Sequence, residues 1–227
     1  MKTLQNQSDI YYDKANVYEE FSIAEDFDDV IVKRISKFAN GNVLDLGCGT
    51  GKFLLKLIQS NPNANYTGLD ISSKQLNILN KKISSYKNIK LVCADSCELP
   101  FEDNTFDFVF SSWVLGTMET DVQRNKALKE IKRVLKPDCR LLLIENWHND
   151  EFEKIIRGYN LLNKIDAYDY WIKTNNFTII DELNTRFHFE SIDIARRVFS
   201  CIWNSDIASR IASNNISHKV RIYALKK

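Results

Sequence analysis

The sequence predicts an α/β fold, a doubly wound and mostly parallel sheet with helices on both faces. Two observations carry this. Short, nearly continuous apolar stretches recur at regular intervals, as strands covered on both sides must, and amphipathic helical stretches alternate with them through residue 146. A third observation marks the working edge: the glycine-rich "VLDLGCGTGKF" directly follows the first apolar stretch, where open sheets bind ligands.

In chain order, Ile23, Phe27, Val30, Ile31 and Ile35 recur at helical spacing and predict an amphipathic helix before Gly41. The charged run "EDFDD" (25–29) reads as solvated surface of that helix. Strands are expected at "NVLDLG" (42–47), "YTGLD" (66–70), "IKLVCA" (89–94), "FDFVFSS" (106–112) and "RLLLIEN" (140–146). Between them, Lys52 to Ser60 places Leu54, Leu57 and Ile58 on one helical face, and Ser72 is placed to cap a helix burying Leu76, Leu79 and Ile83. The stretch 121–137 opens on Asp121, carries its basic residues late and stops at Pro137, as dipole and breaker rules expect. Past Trp147 the pattern changes to a helical region near 151–173, apolar "FTII" (177–180), a helical stretch 191–213 with Ile194, Val198 and Ile202 on one side, and a last strand in "KVRIYAL" (219–225). That third of the chain reads either as completion of the sheet or as a lid or dimer surface.

Composition bounds the function. Lys and Arg number 31 against 30 acidic residues, a net charge of +1, so nothing electrostatic favours nucleic acid as a partner. The first residues contain no apolar signal region and no run is long enough to span a bilayer, so a cytoplasmic protein without a membrane partner is expected. The five cysteines include no CxxC pair and the three histidines are scattered, which fits reduced thiols and predicts no metal site.

Spacing identifies the glycine loop. A phosphate-binding P-loop needs four residues between its first glycine and Gly-Lys, then Ser or Thr; here three separate Gly47 from Gly51 and Phe53 follows Lys52. A dinucleotide fingerprint would put its third glycine at position 52, which is lysine. The pattern present is acidic-x-G-x-G-x-G, with Asp45 ahead of Gly47, Gly49 and Gly51. It resembles motif I of the class I S-adenosylmethionine-dependent methyltransferases. Asp70 at the end of the second strand, the segment "CADSCELPFEDNTFDFV" and then "LKEIKRVLKP" with "RLLLIEN" extend the likeness over roughly residues 40–146. Within that family these stretches are most similar to the small-molecule branch that includes quinone C-methyltransferases.

The resemblance implies a Rossmann-like seven-stranded sheet whose last strand is antiparallel, with "FTII" as strand six and "KVRIYAL" as strand seven. It implies S-adenosyl-L-methionine as cofactor, with Asp45 near its ammonium group, Gly47, Cys48, Gly49 and Gly51 against its methionine moiety, Asp70 and Ile71 at the ribose, Asp95 and Ser96 at the adenine, and Ser111 nearby. Tyr12 and Tyr18 lie in a segment similar to the one that folds over the cofactor in these enzymes. One 227-residue domain is expected, with 1–40 a helical cap, 41–146 the cofactor core and 147–227 the acceptor side. After "LKP" the family usually carries two glycines where this chain has Asp138-Cys139, which predicts a local change of turn.

The implied reaction is in-line displacement, accelerated by alignment and desolvation. A base is needed only for an unionised acceptor. Many relatives carry histidine after strand four, near Gly116-Thr117; this chain has none. His148 remains as a base candidate and Glu145 as a group to orient the acceptor, each with a plain reading as a loop histidine or an ion-pair partner. Trp113, Trp147, Phe187 and Trp203 are candidate walls for an aromatic or hydrophobic metabolite, or else core. An amino-methylating signature for nucleic-acid bases is absent at "SSWV". The alternatives are a cofactor-binding regulator or partner subunit without turnover, and a nucleotide-sugar or dinucleotide enzyme on a similar sheet.

Overall fold

The computed structural model describes residues 14–157 and 162–227. Its strands are β1 (Asn42–Leu46), β2 (Asn65–Asp70), β3 (Ile89–Cys93), β4 (Phe106–Ser112), β5 (Leu135–Asn146), β6 (Thr178–His188) and β7 (Asn215–Lys226). They form one sheet in the order β3-β2-β1-β4-β5-β7-β6. β1 through β5 pair in parallel, whereas β7 is antiparallel to both β5 and β6. Six strands therefore run one way and β7 the other, as the resemblance implies.

Alternation along the strands divides the core. Val43, Phe108 and Phe110 face one side with Leu54 and Leu57 of α3 (Lys52–Ser60) and Leu76 and Leu79 of α4 (Ser73–Lys82). Leu44, Leu46 and Val109 face the other side with Leu128 and Ile131 of α5 (Asp121–Val134) and Trp171 of α7 (Leu162–Thr174). A third cluster joins Phe21 of α1 (Ala15–Ala24), Phe152 of α6 (Glu151–Arg157), Phe187 of β6 and Phe199 of α8 (Ile192–Ile202).

Local chemistry fixes the ends. Ser72 accepts from the Gln75 N–H, as its cap position requires. Thr120 and Gln123 form a reciprocal capping box on α5. α5 ends at Val134, earlier than Pro137 suggests, because Leu135 already pairs with Phe106. Asp138 takes the turn conformation (φ 62°) and Cys139 does not, so the pair replaces the family's glycines by a single left-handed Asp.

The N-terminal segment corrects the sequence reading. Instead of one helix over 23–35, α1 ends at Ala24 and α2 (Val30–Ile35) starts anew after a break with Asp26 and Asp29 at φ 44° and 58°. Ile23 and Phe27 are exposed, while Ile31 and Ile35 are fully buried. Nor is "EDFDD" a solvated run: Asp26 is 0% exposed and Glu25 is 6% exposed. The Asp26 carboxylate accepts from the N–H groups of Val30, Ile31 and Val32 and from the Thr185 hydroxyl, so it starts α2 and pins it to β6. Two further boundaries shift: the helical region 151–173 is the separate α6 and α7, and 191–213 is α8 followed by α9 (Ser205–Ser209). β6 runs eleven residues rather than four, with a register shift between Ile179 and Asp181.

Candidate active site

The parallel register places the carboxyl ends of β1, β2, β3 and β4 side by side. Gly47, Gly49 and Gly51 all take positive φ (79°, 55° and 87°), which is why the loop between β1 and α3 is glycine-rich. At Gly47 and Gly51 there is also no room for a side chain: an added Cβ would lie 2.1 Å from Val114 and 2.2 Å from Leu79. The tight turn brings Gly47 and Cys48 N–H onto the Leu69 carbonyl.

Two carboxylates sit under this loop. Asp70 accepts from Gly49 N–H at 2.9 Å and from Ser72 N–H at 2.8 Å, tying the β2 end to the glycine loop. Asp45 is 2% exposed, and its Oδ1 finds no hydrogen-bond partner in the protein. Burial pushes the Asp45 carboxyl well above its ordinary range, and the neighbouring Asp70 pushes it further. Burial also raises Asp70, opposed by the backbone N–H groups it accepts from. A buried, unpaired acceptor beneath a positive-φ glycine loop is what a ligand's ammonium group would satisfy.

The other predicted cofactor residues fall around this point. Ile71 follows Asp70 and is exposed. Asp95 and Ser96 follow β3, and Asp95 accepts from Cys97 N–H in a turn that holds it at the sheet edge. Cys48 is buried, with its thiol packed where a Gly68 side chain would be. Ser111 is buried and its hydroxyl donates to the Leu46 carbonyl, so it braces β4 on β1. Tyr18 on α1 reaches the loop, its ring 3.2 Å from where a Gly49 Cβ would stand. Tyr12 lies outside the described residues.

The ends of β4 and β5 carry the residues expected to meet the acceptor. Trp113 has φ 56° and a buried, unpartnered Nε1; its ring lies 5.8 Å from Phe53 and 5.9 Å from His218. Glu145 is buried at the end of β5, where the Tyr168 hydroxyl donates to its Oε1 at 2.8 Å and Oε2 faces Gly116. Burial and the Glu145 carboxylate push the Tyr168 hydroxyl well above its ordinary value. Trp147 carries the Arg221 guanidinium on its ring. His148 is engaged locally: its Nδ1 is 3.2 Å from Glu153 and its ring packs on Trp147. Phe187 is 0% exposed and Trp203 half-buried, both within the Phe21–Phe199 aromatic cluster, so they are core of the α1–α8 layer in this state.

Sequence reasoning missed one group. His218 on β7 is fully buried, with Nε2 2.9 Å from the Asn146 side-chain oxygen and Nδ1 3.6 Å from Glu25 Oε1 but unbonded. Burial, then the Lys52 charge, pulls its pKa down to about 3. Burial likewise raises Glu25 to about 7 and lowers Lys52 to about 8, while the opposite charge of each partner works against those shifts. The only hint was a histidine directly ahead of the predicted strand 219–225.

Residues 44–143 match a family described as a methyltransferase domain. The demethylmenaquinone methyltransferase of Staphylococcus aureus is 34% identical over 135 residues, which is 59% of this chain and 55% of that protein. The chain thus spans about half the length of the curated relatives it matches. Among solved structures, an S-adenosylmethionine-dependent methyltransferase from Aquifex aeolicus has a TM-score of 0.60 at 17% identity, covering 93% of this chain and 97% of that one. The MccD protein has a TM-score of 0.59 at 23% identity, covering 86% of this chain and 96% of its own. At these identities the likeness establishes the fold.

Proposed function

We propose that this chain, whose residues 44–143 match a methyltransferase domain, is a class I enzyme that transfers the methyl group of S-adenosylmethionine to a small, flat, largely hydrophobic acceptor. The observation that carries the cofactor half is Asp45 Oδ1, buried and unpartnered beneath a loop whose three glycines all take positive φ. When bound, the cofactor supplies an electrophilic methyl on a positive sulfonium. Asp45 meets the ammonium group, Gly47, Cys48, Gly49 and Gly51 shape the floor under the methionine moiety, and Asp70 accepts from the ribose hydroxyls while holding Gly49. Asp95 and Ser96 flank the adenine, Ile71 lies beside the ribose, Ser111 fixes β4 against β1, and Tyr18 closes from the N-terminal side.

On the acceptor side, Trp113 and Trp147 at adjacent strand ends suit a planar ring, and Glu145 accepts from an acceptor hydroxyl. Phe187 and Trp203, packed in the aromatic core of the α1–α8 layer, back this half of the molecule without walling the acceptor. The chain's work is alignment and water exclusion, and alignment alone accounts for about 7–11 kcal/mol of barrier in favourable cases. His148, paired with Glu153, is not required as a base in this scheme. A quinol-like acceptor agrees with the relative's name and with the aromatic walls. In this reading residues 1–40 cap the cofactor, 41–146 bind it and 147–227 receive the acceptor.

The test is incubation with isotopically labelled S-adenosylmethionine and a panel of reduced quinols, phenols and amines, followed by mass spectrometry. Methylation of a planar hydroxylated aromatic is expected. Binding of S-adenosylhomocysteine with no transfer to any of the panel would contradict it and favour a cofactor-binding regulator.

A further inference from the structure

We propose that Lys52 and Lys82 are positioning residues of the cofactor site, tying helix α1 down on both sides of the glycine loop through Glu25 and Glu19. The inference rests on the cofactor reading above. Lys82 ends α4; its ammonium donates to the Thr50 carbonyl, inside the loop, at 3.0 Å and pairs with Glu19 on α1. Lys52 begins α3; its ammonium donates to the Glu25 carbonyl at the end of α1 and lies 3.9 Å from Glu25 Oε2. Between the two ties, Tyr18 stands over Gly49.

The two ties differ in kind. Lys82 and Glu19 are part-exposed, with side chains 30% and 17% accessible, so that pair is modest and screened. Lys52 and Glu25 are 6% and 8% accessible. Taking both of those charges out of water costs about what their attraction returns, so the pair fixes where α1 sits more than how tightly it sits. The adhesion comes from Phe21 in the aromatic cluster. Asp26, next to Glu25, is fixed to α2 and β6, which leaves α1 as the segment free to pivot when the ties release. Asp26, Asp29, Lys56 and His218 are the other titratable groups facing the buried pair.

Apparent affinity falls with the fraction of protein in the docked state, so a loosened tie must show as faster ligand release. The experiment follows dissociation of S-adenosylhomocysteine from the full chain, with melting temperature and hydrogen exchange of residues 15–24 alongside. Lys82→Met is expected to speed release roughly threefold at unchanged melting temperature. Lys52→Met, which strands a buried carboxyl, is expected to speed it about tenfold or more. Glu25→Leu with Lys52→Met should restore the wild-type rate or slow it, a recovery that generic destabilisation does not give. Wild-type binding with unchanged release from both single variants, or a double variant as fast as Lys52→Met, would overturn this inference alone. Absence of binding by folded wild type would sink it together with the cofactor reading.

Discussion

Asp45 and Asp70 stand on adjacent strands and differ in one respect: each Asp70 oxygen accepts from a backbone N–H, and Asp45 Oδ1 has no donor. An unpaired buried carboxylate beside another acid is a strained group that a cationic ligand relieves. Asp45→Asn should therefore leave the melting temperature unchanged or raised while weakening S-adenosylhomocysteine binding at least about tenfold, the opposite signs expected of a functional site. A parallel loss of stability and affinity would refute the assignment. Gly47→Ala meets both a positive φ and Val114, and should cost about 1–3 kcal/mol in urea unfolding. Both residues were legible in the sequence, because motif spacing reports backbone geometry directly. Lys52 and Glu25 were not: a lysine after a glycine loop and an acidic run read as solvated charge, and only the fold brings the two together.

At the scale of elements, the alternation of apolar strands and amphipathic helices gave β1 through β4 and α3 to α5 near their observed bounds, whereas β5 begins at Leu135, five residues ahead of the expected strand. It failed at 23–35, where the helical spacing of apolar residues is real but spans a break. Asp26 overrides the period, since its carboxylate caps α2 and bonds to Thr185 from within the core. Periodicity carries no trace of a side chain 159 residues away. Asp26→Ala should cost about 2–4 kcal/mol, for it removes several hydrogen bonds to one buried carboxylate. Urea titration reads this, and a loss below roughly 0.5 kcal/mol would deny Asp26 that role. β6 was read too short for a related reason: its outer half, "DELNTR", is polar, as edge strands are, and only its pairing with β7 makes it a strand.

For the whole molecule, the order β3-β2-β1-β4-β5-β7-β6 collects the glycine loop, both carboxylates and the β4 and β5 ends on one edge, with α1 lying over the glycine loop. The polar cluster under α1 leaves a global signature in pH. Glu25 is raised from 4.5 to about 7, so the folded state binds the extra proton and stability is gained as pH falls from about 7 toward 4.5. His218 is lowered from 6.5 to about 3, so the unfolded state binds the extra proton and stability is lost as pH falls from about 6.5 toward 3. The two offset over their shared range. Glu25→Gln removes the first and keeps the second, so its stability should fall on acidification below about pH 6.5 before that of wild type does, by up to about 1.4 kcal/mol per pH unit. Parallel curves would place Glu25 outside the buried cluster. The central claim, that the loop and its carboxylates form an S-adenosylmethionine site, is tested most directly by calorimetric titration of the wild type and Asp70→Ala with S-adenosylhomocysteine. Micromolar binding by the wild type that is lost in a folded variant is the predicted result; no binding by folded wild type would contradict the account.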